Sequence, residues 1–172
     1  MIVTQEETMP RHRRAALLAT STMVAATAVA GSLASDPRSS YYASLRKPSW
    51  TPPGSAFPLV WSALYTTIAA TTGPTLAELR EADTKTQDWE AAGYLCATTV
   101  NLALNAGWTW VFFRARNPGL SAAWAATLTL SSVGLVQRTF QVKMARGVAL
   151  APYAGWTAFA TALSTAIWRM NR

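Results

Sequence analysis

An all-α integral membrane protein, a bundle of five transmembrane helices with a long Pro-rich loop between helices 1 and 2, is the fold class that this sequence predicts. Three observations carry it. Of 172 residues, 51% are hydrophobic and only 13% are charged. The charges are also segregated: none falls in residues 15–34, 48–77, 91–113, 117–137 or 147–168. Each run is near or above the ~20 residues that a helix rising about 1.5 Å per residue needs to cross about 30 Å of hydrocarbon. A soluble bundle with Ala-rich core helices is the competing reading, but soluble helices of this length carry a charged face and these carry none. The third observation is residues 41–53, a long polar stretch with Pro48, Pro52 and Pro53, flanked on both sides by apolar runs. Prolines fix φ and bias the residues before them toward extended backbone, which predicts a stiff, ordered loop carrying Tyr42 and Trp50 as a lid.

The length suits a single domain, residues 1–172, with residues 1–12 a disordered polar N-terminus. The formal net charge of +7 does not point to nucleic acid, because the basic residues sit between spans and at the ends rather than along one helix face. Lys and Arg number eight on one side (Arg11, Arg13, Arg14, Arg80, Lys85, Arg138, Lys143, Arg146) and seven on the other (Arg38, Arg46, Lys47, Arg114, Arg116, Arg169, Arg172). That balance sets no orientation. Cys96 is the only cysteine, and a mid-span position predicts a buried, inert, protonated thiol. His12 is the only histidine and lies outside the spans, so neither supplies a metal ligand within them.

The first span follows Arg11-His12-Arg13-Arg14. A basic flank, an apolar run and Ser32-Leu33-Ala34 also fit a secretory signal, but the run exceeds a usual signal core, which favours a retained span. Its small residues Ala25, Ala26, Ala28, Ala30 and Gly31 predict close packing. The second span, 54–77, places Phe57, Trp61 and Tyr65 on one face at four-residue intervals. Gly73-Pro74 predicts a kink or an end there. The third span sets Gly93, Ala97, Asn101 and Asn105 on one face, continued by Trp108. Amides in hydrocarbon need partners, and interhelical bonding and a polar handle in a pocket explain them equally well. Asn117-Pro118-Gly119 predicts a tight turn and antiparallel third and fourth spans. The fourth span, 120 to about 140, offers little beyond Trp124. In the fifth, Trp156, Phe159, Ala160 and Leu163 share a face by i, i+3, i+4, i+7 spacing.

The ordered landmarks resemble the tryptophan-rich sensory protein, or translocator protein (TspO), family. Tyr42, Leu45, Lys47-Pro48-Ser49-Trp50-Thr51-Pro52-Pro53, Phe57, Trp61 and Leu64-Tyr65 match its first-loop signature. Leu102-Ala103-Leu104-Asn105, Trp108 and Phe112-Phe113 match the third span, and Pro152-Tyr153, Trp156, Ala158-Phe159, Leu163 and Trp168-Arg169 the fifth. The resemblance implies a five-helix bundle, usually a homodimer, in a bacterial cell-envelope membrane, whose pocket opens toward the first loop and binds porphyrins and synthetic hydrophobic ligands. Carried over by position, it implies a pocket lined by Tyr42, Pro52, Phe57, Trp61, Tyr65, Asn101, Asn105, Trp108, Trp156, Ala160 and Leu163. The chain departs from the family at Tyr41, where Trp is usual, at Trp124, where an acidic residue is common, and at Trp168, where the vertebrate sterol-recognition segment needs Tyr.

A porphyrin is a flat π-system with two carboxylates. It suits aromatic walls from Trp50, Trp61, Trp108 and Trp156, with Arg46 and Lys47 for the carboxylates. The expected function is therefore a receptor or carrier for tetrapyrroles such as protoporphyrin IX or haem, held by stacking, with no required cofactor and no metal site. Two alternatives stand beside it. One, which only the resemblance implies, is a light- or oxygen-dependent porphyrin-degrading enzyme using Trp61 and Trp156, although the chain offers no nucleophile–base pair or paired intramembrane carboxylates. The other is a structural or regulatory membrane partner acting through a dimer surface that includes Gly93 and Ala97.

Overall fold

The computed structural model describes residues 11–81 and 85–172, and among these every regular element is helical. Five long helices, α1 (Arg11–Ala34), α3 (Ala56–Glu81), α4 (Lys85–Thr109), α5 (Pro118–Val142) and α6 (Met144–Met170), pack with one short helix, α2 (Ser40–Ser44). Of the N-terminus expected to be disordered, residues 1–12, the first ten lie outside the described residues, whereas Arg11 and His12 open α1. Two of the long helices, Arg13–Ala34 and Pro118–Val142, are long and apolar enough by composition to cross a membrane.

Local chemistry sets the boundaries. Asn117 caps α5 by accepting the Leu120 N–H at 3.0 Å, with Pro118 at the first helical position, where its missing N–H costs nothing. Between α5 and α6 the helical path is broken by the single extended residue Lys143. So sharp a reversal brings Gly147 against the backbone of Phe140, where a Cβ would clash. Pro74 neither ends nor divides α3, which runs on to Glu81. Tyr41 to Ser44, expected as extended lid, form most of α2 instead, because Ser39 caps that turn by accepting the Tyr42 N–H. From Leu45 onward the stretch is non-helical until Ala56.

The core is one apolar cluster at the centre of the bundle, with Ile68, Leu76, Leu135, Leu150 and Tyr153 fully enclosed. A second cluster under the loop holds Leu45, Phe112, Leu163 and Ile167. Close helix approach depends on two further glycines. A Cβ at Gly73 would lie 2.8 Å from Thr20 Oγ1, and one at Gly107 would lie 2.6 Å from the Trp124 ring. Trp124 thus has a packing role that the sequence did not announce: its indole lies over Gly107 and donates to the Leu104 carbonyl at 2.8 Å. The expectation for Cys96 is corrected, since it is exposed on the outward side of α4 rather than buried in the bundle.

After Thr109 the α4 backbone widens into a π-helical segment, Trp110–Arg114. Its side chains finish α1: Trp110 Nε1 donates to the Ala30 carbonyl at 3.1 Å and Arg114 to the Leu33 carbonyl at 2.9 Å. Leu33 lies in the last α1 turn, whose carbonyls lack an intrahelical partner, and Ala30 lies one turn before it. The cavity end of the bundle is fastened in this way, and at the opposite end Arg146 pairs with Glu78 at 2.7 Å.

Candidate functional site

A cavity of about 490 Å³ opens beneath the loop, between α1, α3, α4 and α6. Each wall follows from helical spacing. From α3 come Phe57, Trp61 and Tyr65, with Trp61 and Tyr65 tilted against each other at a centroid separation of 5.4 Å. From α6 come Trp156, Phe159, Ala160 and Leu163. Trp156 meets Phe159 at 5.2 Å and Phe57 edge-on at 6.0 Å, so these three rings form one continuous surface. From α4 and the π segment come Asn105, Trp108 and Phe112, with Trp108 stacked on Phe112 at 5.1 Å. Aromatic faces set at these distances are favourable against one another and against any flat ring system placed among them.

The loop supplies the roof. Tyr42 lines the cavity and packs against Phe112 and Phe113 at 6.2 and 5.8 Å. Leu45 is buried in the cluster below, and Asn171 at the end of α6 grips the backbone of Arg46. Burial raises the hydroxyl pKa of Tyr41 and of Tyr42 above 10.0; for Tyr41 the Arg116 charge opposes the shift.

Of the residues expected in the pocket, Tyr42, Phe57, Trp61, Tyr65, Asn105, Trp108, Trp156, Ala160 and Leu163 line this one cavity. Arg46, Lys47, Trp50, Pro52 and Asn101 do not. Lys47 turns back on its own loop, donating to the Tyr42 and Leu45 carbonyls at 2.7 and 3.0 Å and lying 4.5 Å from the Tyr42 ring centroid. Its ammonium is committed to shaping the loop. Trp50 is 49% exposed and touches Phe159 edge-on from outside. Asn101 is fully buried behind the wall, where it accepts from Tyr153 and donates to Ser131 and Ser132. It meets the need for interhelical partners, and Asn105 one turn later meets that need while also reaching the cavity.

The sequence reading missed the α1 wall. Ala28, Gly31, Ser32 and Ser35 line the cavity, and their i, i+3, i+4, i+7 spacing was available as a signal. Thr109, Phe112 and Phe113 also line it.

Comparison with known proteins agrees with this architecture. Residues 18–169 match the model of the TspO/MBR family. The human translocator protein is 35% identical over 135 residues, covering 76% of this chain and 75% of that protein. The tryptophan-rich sensory protein of Cereibacter sphaeroides is 31% identical over 131 residues, 76% of this chain and 77% of its own length. Protein CrtK of Rhodobacter capsulatus is 30% identical over 131 residues, 76% and 78% respectively. The chain belongs to the TspO/MBR family, and is a membrane protein.

Proposed function

We propose that this TspO/MBR-family protein is a membrane receptor or carrier that takes porphyrin-type tetrapyrroles, and similar flat hydrophobic molecules, into the cavity beneath the loop. The observation that carries the reading is the set of Trp61, Trp108 and Trp156 around a single space of about 490 Å³, a volume within the roughly 300–1,000 Å³ usual for small-molecule sites. The ligand-contacting set is Tyr42, Phe57, Trp61, Tyr65, Asn105, Trp108, Trp156, Ala160 and Leu163. Stacking on these faces supplies affinity, and no axial ligand for iron is required.

Charge at the mouth supports an acidic ligand. The helix ends around the cavity carry Arg38, Arg46, Lys47, Arg114, Arg116, Arg169 and Arg172 against Asp36 as the acidic residue. With Lys47 tied to its own loop, Arg46, whose side chain is exposed, is the better placed of the two expected carboxylate partners.

All five long helices cross the bilayer in this reading, in a bacterial envelope membrane. The composition of α3 understates its fitness for lipid, because Thr66, Thr67, Thr71, Thr72 and Thr75 each donate their hydroxyl to a carbonyl four residues back. A hydroxyl satisfied inside its own helix costs little in hydrocarbon. A homodimer is part of this reading, through the α4 surface that includes Gly93 and Ala97, both half-buried, beside the exposed Cys96 and Val100.

A fluorescence-quenching titration of micelle-purified protein with protoporphyrin IX, in parallel with haem, tests the function. Saturable quenching, weaker in Trp156→Ala and of similar affinity for both ligands, is expected. Absence of saturable binding by the wild type would remove the tetrapyrrole reading.

A further inference from the structure

The hydrogen bonds behind the cavity wall all run in one direction. Ser132 donates its hydroxyl to the Leu128 carbonyl at 2.8 Å, which leaves its oxygen to accept. Asn101 Nδ2 donates to that oxygen at 3.0 Å and to Ser131 Oγ at 3.1 Å. The Asn101 amide is thereby oriented, with Oδ1 toward Tyr153, whose hydroxyl donates to it at 2.7 Å. With its proton spent, Tyr153 Oη accepts from Asn105 Nδ2 at 3.1 Å. Asn105 Oδ1 then faces Tyr65, and Tyr65 Oη donates to it at 2.9 Å. The chain fixed by a backbone carbonyl in α5 therefore reaches the cavity at Tyr65, whose oxygen has lone pairs to offer and no proton.

Neighbouring hydroxyls reach the same condition by a shorter route. Thr109 donates to the Ala106 carbonyl at 2.7 Å, Ser32 to Val29 at 2.8 Å and Ser62 to Pro58 at 2.8 Å, each proton held by its own helix. Two of these acceptors converge. A methyl placed on Gly31 would lie 3.7 Å from Thr109 Oγ1 and 3.9 Å from Tyr65 Oη. Beside Gly31 the cavity thus has a niche faced by two acceptor oxygens.

We propose that this niche is a donor-recognition subsite: the ligand carries an N–H or O–H on the edge of an apolar planar body and gives it to Tyr65 Oη and Thr109 Oγ1. The inference rests on reading the cavity as a ligand site and adds the polarity that the site selects. A chain of hydrogen bonds running one way strengthens the acceptor at its free end. A ligand that lacks the donor leaves the lone pairs of both oxygens without a partner, and sites of this kind discriminate on that ground.

Carbazole and N-methylcarbazole are planar tricycles that differ in a single N–H. Binding of each to the protein in micelles is read by ligand fluorescence anisotropy, with empty micelles as the blank. Carbazole is expected to bind about 5- to 10-fold more tightly, the worth of one net hydrogen bond. Tyr65→Phe should erase most of that preference and Thr109→Val part of it, the preference being the ratio of the two probes' affinities within each protein. Gly31→Ala fits at ordinary contact distances, so it should fill the niche and weaken carbazole binding without lowering Tm. Equal affinity for the two probes in the wild type, a preference that survives Tyr65→Phe, or no saturable binding of either probe would overturn the subsite. Failure of protoporphyrin to bind, with the carbazole preference intact, would sink the tetrapyrrole reading and leave the subsite standing.

Discussion

Replacing Asn171 by alanine tests whether one side chain holds the roof of the cavity in place. Asn171 Oδ1 accepts the Arg46 N–H at 2.9 Å, and Nδ2 donates to the Arg46 carbonyl at 2.8 Å and to the Ile167 carbonyl at 2.7 Å. The side chain therefore pairs with both backbone groups of one loop residue while remaining anchored to its own helix. The two bonds to Arg46 are exposed, so each is worth about 0.5–1 kcal/mol net. Together they amount to about 1–2 kcal/mol, or a rise of about 5- to 30-fold in the open population of the loop. Leu45 stays buried against Phe112, Leu163 and Ile167 in the variant, so the loop opens at its edge and does not unfold. Hydrogen–deuterium exchange in micelles reads this directly. The amides of residues 45–47 should exchange about 5- to 30-fold faster, with those of residues 150–163 unchanged. Unaltered exchange at 45–47 would refute the clasp, and uniform acceleration along α6 would show that Asn171 stabilises the bundle and not the loop.

Other perturbations have equally definite outcomes. Gly107→Ala puts a methyl into the Trp124 ring and should cost about 1–3 kcal/mol as overpacking; thermal unfolding in micelles should show the loss, and Trp124→Leu in the same chain should recover part of it. Asn101→Leu leaves the buried Tyr153 hydroxyl without its acceptor and should lower stability by about 1–3 kcal/mol. Tyr41 and Tyr42 have raised hydroxyl pKa values, so the folded state binds their protons more tightly than the unfolded chain does. The stability they contribute is complete below pH 10 and declines as pH rises through their folded pKa values. Tyr41→Phe should flatten the alkaline limb of the Tm–pH curve, and a 295 nm phenolate titration should lose a late-titrating group.

Periodicity made the inward faces of α3, α4 and α6 legible, because a cavity between helices must be walled by residues three and four apart. Phe57, Trp61 and Tyr65 are one such row, and Trp156, Ala160 and Leu163 another. The α1 wall obeys the same rule, yet in the sequence Ala28 and Gly31 signal packing, because small residues serve both ends, and Ser32 fits a cleavage-site pattern. Asn101 and Asn105 stand one turn apart, and spacing does not say which meets the cavity. Ser131 and Ser132 on α5 take Asn101 away from it. The loop was the least legible part. Lys47 and Trp50 belong to a distinctive motif, but the return of Lys47 to its own carbonyls depends on a backbone path that no side-chain period encodes. Trp124 over Gly107 was hidden for a similar reason, since the pairing joins two helices and neither residue signals the other.

Occupancy of this cavity by a tetrapyrrole is tested most directly by blocking it from within. Ala160 lines the space, whereas Leu130 is 75% exposed on the outer side of α5. Protoporphyrin IX should bind saturably to the wild type and to Leu130→Phe, and lose saturable binding in Ala160→Phe. Equal binding by all three proteins would place the porphyrin elsewhere and contradict the account.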